Sequence, residues 1–208
     1  MMAIRPAVDG DAVLLAPLFL ESSGGTWAAV LRARSASRQP VEALAIAAFQ
    51  DRSQTLSIAN TVVAEEGGQL LGGLCAFQET AAAPLENSDS PLPVALSRAL
   101  QPFRELVDAQ SLFIAELACR PCARGRGVGR RLLETALADA GSRQLPRVSL
   151  RVFSENVGAV RLYERLGFTV TDSRALVPHP AIPAQGSVLQ MTCELGGAPE
   201  RVPSGGAT

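Results

Sequence analysis

Between Leu112 and Phe168 the chain spells out a buried strand, an arginine- and glycine-rich loop, a helix, a second strand and a second helix, and every other element must be fitted around them. The first strand, Leu112 to Cys119, is an almost unbroken apolar run, the pattern of a strand covered on both faces. Its one charge is Glu116. Pro121 ends the strand, and Gly125, Gly127 and Gly129 follow at alternate positions, freeing the backbone for dihedrals that other residues resist. Val128, Leu132, Leu133, Ala136 and Leu137 then recur at helical spacing, with Gly141 as the expected stop. The helix therefore begins inside the glycine segment.

A helix that starts in a glycine loop turns its first N–H groups toward one point and adds the positive end of its dipole there, so the segment is suited to an anion, phosphate above all. Arg120, Arg124, Arg126, Arg130 and Arg131 crowd the same stretch of a chain whose formal net charge is only −1. Such local basicity points to one polyanionic ligand and away from a nucleic-acid surface. A nucleotide P-loop is excluded because the chain has no lysine, and the dinucleotide fingerprint fails because Arg130 stands where its third glycine belongs.

The segment does spell Arg124-x-x-Gly127-x-Gly129, which resembles the acetyl-CoA-binding motif of the GNAT superfamily of N-acetyltransferases. A second block, Asn156-x-x-Ala159-x-x-Leu162-Tyr163-x-x-x-Gly167-Phe168, is similar to another of that family's motifs, and the strand Arg147 to Phe153 lies before it in the right order. The resemblance implies an α/β chain of the α+β type, with a mixed, mostly antiparallel central sheet of six to seven strands flanked by helices. It implies acetyl-CoA as cosubstrate and no metal. Main-chain amides of Arg124, Gly125, Arg126, Gly127, Val128, Gly129 and Arg130 would hold the diphosphate, and the main chain of Leu117, Ala118 and Cys119 would pair with the pantetheine arm. A homodimer is a common state of such proteins.

In chain order, Ala3 to Val8 reads as a strand, Asp9 to Glu21 as a helix with acids suited to its N-terminus, and Thr26 to Arg34 and Pro40 to Arg52 as two more helices. In the family this helical pair borders the acceptor. Ala59 to Glu65 and Leu70 to Gln78 form a hairpin across a glycine turn. Residues 79–110 read as an insertion: a loop rich in proline and acids, then a helix over Val94 to Val107 interrupted near Pro102, together a candidate substrate cover. Thr169 to Val177 and Ser187 to Leu195 are two closing strands. With 208 residues, 47% of them hydrophobic, the expectation is one domain over 1–195 and a disordered tail over 196–208. No apolar stretch is long enough for a membrane span or a leader, so a cytoplasmic protein with reduced cysteines is expected.

Each candidate residue carries a plainer reading beside the chemical one. Asn156 is a helix N-cap or, by resemblance, a contact to the cofactor arm. Tyr163 is a core residue or, by resemblance, the acid that protonates the departing thiolate. Glu116 is a structural partner for an arginine or a general base whose pKa burial would raise toward neutrality. Glu79 is the reserve base, and His179, the only histidine, is a further one. Cys119 and Cys122 make a CxxC without the second pair that a zinc site needs, and read as incidental. Glu79, Glu86, Asp89, Glu105 and Asp108 would suit a cationic acceptor if they faced the pocket. The expected activity is transfer of an acetyl group to a primary amine of a small molecule. The alternatives are acetylation of protein N-termini or lysines, and a non-catalytic acyl-CoA-binding module.

Overall fold

The computed structural model describes residues 1–79 and 92–196. Seven strands form one sheet: β1 (Ala3–Pro6), β2 (Thr61–Glu66), β3 (Gln69–Gln78), β4 (Ser111–Cys119), β5 (Arg147–Phe153), β6 (Thr169–Ala175) and β7 (Ser187–Glu194), in the order β1-β2-β3-β4-β5-β7-β6. All neighbours run antiparallel except β4 and β5. The helices are α1 (Ala12–Ser22), α2 (Thr26–Arg34), α3 (Val41–Gln50), α4 (Val94–Arg104), α5 (Val128–Ser142) and α6 (Val157–Glu164).

Alternation along β4 sorts its side chains onto two cores. Leu112 and Ile114 join Leu132, Leu133, Ala136 and Ala140 of α5, whereas Phe113 and Ala118 join Leu15, Ala16 and Phe19 of α1 and Phe49 of α3. A third cluster packs Leu96, Ala99 and Leu100 of α4 on Ala29 and Val30 of α2. No single helix among the described residues is long and apolar enough to cross a membrane.

Two irregularities open the sheet's centre. The parallel pairing of β4 with β5 covers only Ser111 to Ile114 against Arg147 to Leu150. Buried hydroxyls of Ser111 and Ser149, 2.6 Å apart, sit within that paired stretch. Beyond it β4 stays on β3 and β5 stays on β7, leaving a wedge between them. In β4, Glu116 lies opposite Cys75 and Ile114 opposite Ala76, so Ala115 is the extra residue of a β-bulge. Its effect is to put two successive side chains on one face: Ala115 packs with the α1–α3 cluster, and Glu116 reaches Ser22 at the end of α1.

Several boundaries differ from the sequence reading. Asp9–Asp11 form a 3-10 turn before α1, because the Asp11 carboxylate accepts the Val8 N–H at 2.8 Å and also takes the Arg5 guanidinium. Gly141 lies inside α5, and Gln144 supplies the left-handed residue beyond the helix end. The expected break at Pro102 is absent: α4 runs through it to Arg104. Most of the expected loop at 81–93 and all of the expected tail beyond Gly196 lie outside the described residues.

Candidate active site

Where β4 turns into α5, Gly125 and Gly127 adopt φ of 74° and 77°, the left-handed region that side chains resist. A Cβ at either would meet nothing within 4 Å, so the backbone there lies open to a ligand. Gly129 is small for another reason: a Cβ would lie 3.2 Å from Leu162 of α6. The first N–H of α5 with a carbonyl one turn back is that of Arg131, onto Gly127 at 3.1 Å. The N–H groups of Val128, Gly129 and Arg130 precede it, and the N-cap, Gly127, has no side chain to cap them. Those bare amides, with the helix dipole behind them, fit a diphosphate.

The arginines around this loop are engaged by the protein. Arg124 pairs with Glu21 at 3.5 Å, Arg126 with Glu66 at 2.5 Å and Arg130 with Glu134 at 2.7 Å, while Arg120 and Arg131 donate to the carbonyls of Leu70 and Met2. The donor set of the loop is therefore chiefly its main chain.

From the loop, the wedge leads along β4. Arg120 N–H donates to Leu71 O at 2.8 Å, so by antiparallel alternation Ala118 also turns its main-chain groups toward β3, and Leu117 and Cys119 turn theirs toward the wedge. Of the three residues expected to pair with an extended ligand, two present their edges and Ala118 does not.

The wedge opens into a cavity of about 460 Å³. Its lining includes Glu116, Leu117, Asn156, Ala159 and Tyr163 together with the apolar Trp27, Leu31, Leu100, Phe103 and Val107. Burial pushes the Glu116 carboxyl up to about 8 against the opposing hydrogen bond from Ser22. Burial raises the Tyr163 phenol as well, helped by nearby Glu116 and Cys119, so Tyr163 holds its proton at neutral pH. Its ring is buried against Phe168, with centroids 5.9 Å apart. Asn156 caps α6, its side chain accepting the Ala159 N–H at 3.2 Å, and it also lines the cavity.

The other sequence candidates are engaged by the protein or lie away from the cavity. Glu79 lines the cavity but is fully engaged: it forms an ion pair with Arg151 and accepts the Asp108 N–H at 2.7 Å. The arginine partner foreseen for Glu116 thus belongs to Glu79. His179 is not among the residues lining the cavity, and its Nδ1 accepts the Ala181 N–H at 3.1 Å. Glu105 and Asp108 pair with Arg174 and Arg147, and Glu86 and Asp89 lie outside the described residues. All four cysteines are free thiols, with Cys119 half-buried and Cys122 exposed.

This frame, a bulged β4 splayed from a parallel β5 above a glycine-started helix, matches a family. Residues 27–168 fit the model described as acetyltransferase (GNAT) family. The chain belongs to the GNAT family. Curated relatives include N-alpha-acetyltransferase 40 of Saccharomyces cerevisiae, 44% identical over 69 residues, which is 30% of this chain and 24% of that protein. Another is the mycothiol acetyltransferase of Thermobispora bispora, 53% identical over 49 residues, 24% of this chain and 17% of that one. The chain thus spans less than a quarter of the curated relatives it matches. Among solved structures, yncA from Salmonella typhimurium, determined with its cofactor acetyl-CoA, superposes with a TM-score of 0.57 at 19% identity over 97% of this chain and 99% of that one. The GNAT frame also shows which residues the sequence concealed: Ser22, just past the helix read over Asp9 to Glu21, and Arg34, Arg104 and Arg151, all of which line the cavity. Arg151 could have been found by the argument used for Glu116, since it is a charge inside an apolar strand.

Proposed function

We propose that this chain transfers an acetyl group from acetyl-CoA to the primary amine of a small molecule. The observation that carries the reading is the meeting, in one cavity, of Glu116, Leu117 at the open edge of β4 and Tyr163, with the glycine loop and the first amides of α5 following β4 in the chain. Acetyl-CoA supplies an activated thioester carbonyl. Amides of the 124–130 loop hold its diphosphate, and the edges of Leu117 and Cys119 align its arm like an added strand. Glu116, ionised, takes a proton from the acceptor ammonium, directly or through water, freeing the nitrogen lone pair. The nitrogen–carbonyl bond forms as the carbon–sulfur bond breaks. A wedge-facing N–H of β4 polarises the carbonyl oxygen, Tyr163 gives its proton to the leaving sulfur, and the second proton shed by the acylated nitrogen returns through water to the phenolate. Under this proposal the protein works in the cytoplasm, where its thiols stay reduced.

A thiol-release assay with acetyl-CoA against amino acids, polyamines, aminoglycosides and short peptides tests the reading. Turnover on small amines is the expected result. Turnover confined to peptides would select the protein-acetylating alternative, which the likeness to N-alpha-acetyltransferase 40 favours. Tight acetyl-CoA binding without turnover on any amine would select a non-catalytic module.

A further inference from the structure

Aromatic residues are scarce in this chain, 4% of it: seven phenylalanines, Trp27 and Tyr163. Six of them line the cavity that holds Glu116, namely Trp27, Phe77, Phe103, Phe113, Phe153 and Tyr163. The fold buries Phe77, Phe113, Tyr163 and the three aromatics elsewhere, and leaves Trp27, Phe103 and Phe153 half-buried. Every aromatic side chain that is left half-open thus borders a single cavity. Uncovered aromatic surface gains most from a ring that covers it, because edge-to-face packing adds to the burial of area.

These rings stand near the carboxylate that takes the amine's proton. Ser22, at the end of α1, donates to Glu116 at 2.6 Å. Two residues on, Gly24, at φ of 58°, lies so close to the Phe153 ring that a Cβ there would collide with it. Two residues of chain span at most about 7 Å, so Phe153 is a neighbour of the Ser22–Glu116 contact. Phe153 meets Phe103 of α4 edge to face with centroids 5.7 Å apart, and Trp27 opens α2 just beyond Gly24. Phe113 differs, since Arg151 lies 4.3 Å above its ring and Phe77 packs at its edge. The cavity's carboxylates among the described residues, Asp51, Glu79 and Glu116, are equalled in number by Arg34, Arg104 and Arg151, which leaves no surplus charge to select a second ionised group on the acceptor. Its volume of about 460 Å³ is roughly three times that of an apolar cavity able to hold benzene.

We propose that the acceptor is an arylalkylamine, a primary amine joined by a short alkyl linker to an uncharged aromatic ring, the ring packing against Trp27, Phe103 and Phe153 while the amine meets Glu116. The inference rests on the N-acetyltransferase reading and narrows its substrate class. A polyamine is disfavoured, because its further ammonium groups would lose water among these rings without a carboxylate of their own.

The test is steady-state thiol release at saturating acetyl-CoA with tryptamine, phenethylamine, hexylamine, spermidine and tryptophan. Tryptamine should show a kcat/KM about tenfold above that of hexylamine, with phenethylamine between them and spermidine poorest. Trp27→Leu and Phe103→Leu should each lower the tryptamine-to-hexylamine ratio about fivefold, and Phe103→Tyr should keep it. Trp27 is the chain's only tryptophan, so its emission reports on the cavity without turnover. In the CoA-bound protein that emission should shift saturably with phenethylamine and stay flat with spermidine. Turnover with equal kcat/KM for hexylamine and the ring amines, or with tryptophan ahead of tryptamine, overturns the inference and leaves the N-acetyltransferase reading standing. Bound acetyl-CoA with no thiol release from these five acceptors or from the wider amine panel overturns both.

Discussion

Ser22 and Glu116 lie 94 residues apart in the chain, yet the Ser22 hydroxyl donates to the Glu116 carboxylate at 2.6 Å. The contact exists because the Ala115 bulge turns Glu116 onto the α1 face, where the helix ends. It opposes the burial that lifts the carboxyl to about 8. In the pH dependence of kcat/KM, a rise through about pH 8 is therefore expected as Glu116 becomes its basic form. Ser22→Ala removes a bond that favours the charged carboxylate, so the inflection should move upward by about one to two units. Glu116→Gln should abolish this limb and lower kcat/KM by about 10²–10⁴.

The same shift has a stability consequence of opposite sense. The folded carboxyl holds its proton to about 8 and the unfolded one only to 4.5, so the contribution is complete below 4.5, declines between the two values and is gone above the higher one. Urea titrations of the wild type and Glu116→Gln should converge in acid, with the wild type losing ground to the variant between pH 5 and 8.

Tyr163 is expected to separate chemistry from packing. Tyr163→Phe keeps the buried ring against Phe168 and should leave the melting temperature and acetyl-CoA affinity near wild type while kcat falls about 10²-fold or more. Tyr163→Ala should cost about 3–5 kcal/mol in chemical denaturation.

The Glu79–Arg151 pair ties the end of β3 to β5 beside the wedge, with Arg151 Nε also donating to Leu106 O at 2.6 Å and its guanidinium 4.3 Å above the Phe113 ring. Removing one buried partner strands the other. Glu79→Ala should cost about 3–5 kcal/mol, and the double replacement Glu79→Leu with Arg151→Met should cost less than the single one.

Much of this was legible in the chain. The Leu112 to Phe168 stretch gave away its strand–loop–helix order because glycine spacing and helical periodicity are local properties, and the structure has Gly125 and Gly127 in the left-handed region that their positions suggested. What escaped was long-range. No local pattern announces that β4 and β5 part after Ile114 and Leu150, or that a bulge resets the alternation at Ala115. Without those, Glu116 reads as one charge in a strand and Ser22 as a residue beyond a helix end. The acidic residues near Glu79 misled for the same reason: Arg147, Arg151 and Arg174, distant in sequence, neutralise Asp108, Glu79 and Glu105.

The central claim, that main-chain amides at the start of α5 grip the diphosphate of an acyl-CoA, is met most directly by calorimetric titration with acetyl-CoA, CoA and S-acetylpantetheine. Acetyl-CoA and CoA should bind with comparable affinity, and S-acetylpantetheine, which lacks the diphosphate, about 100-fold more weakly. Gly127→Ala, which forces a side chain into the left-handed region at a strain of about 1–2 kcal/mol, should weaken both CoA ligands about tenfold and leave the fragment unchanged. Absence of heat with acetyl-CoA and CoA, or equal affinity for the fragment and the intact ligand, would contradict the account.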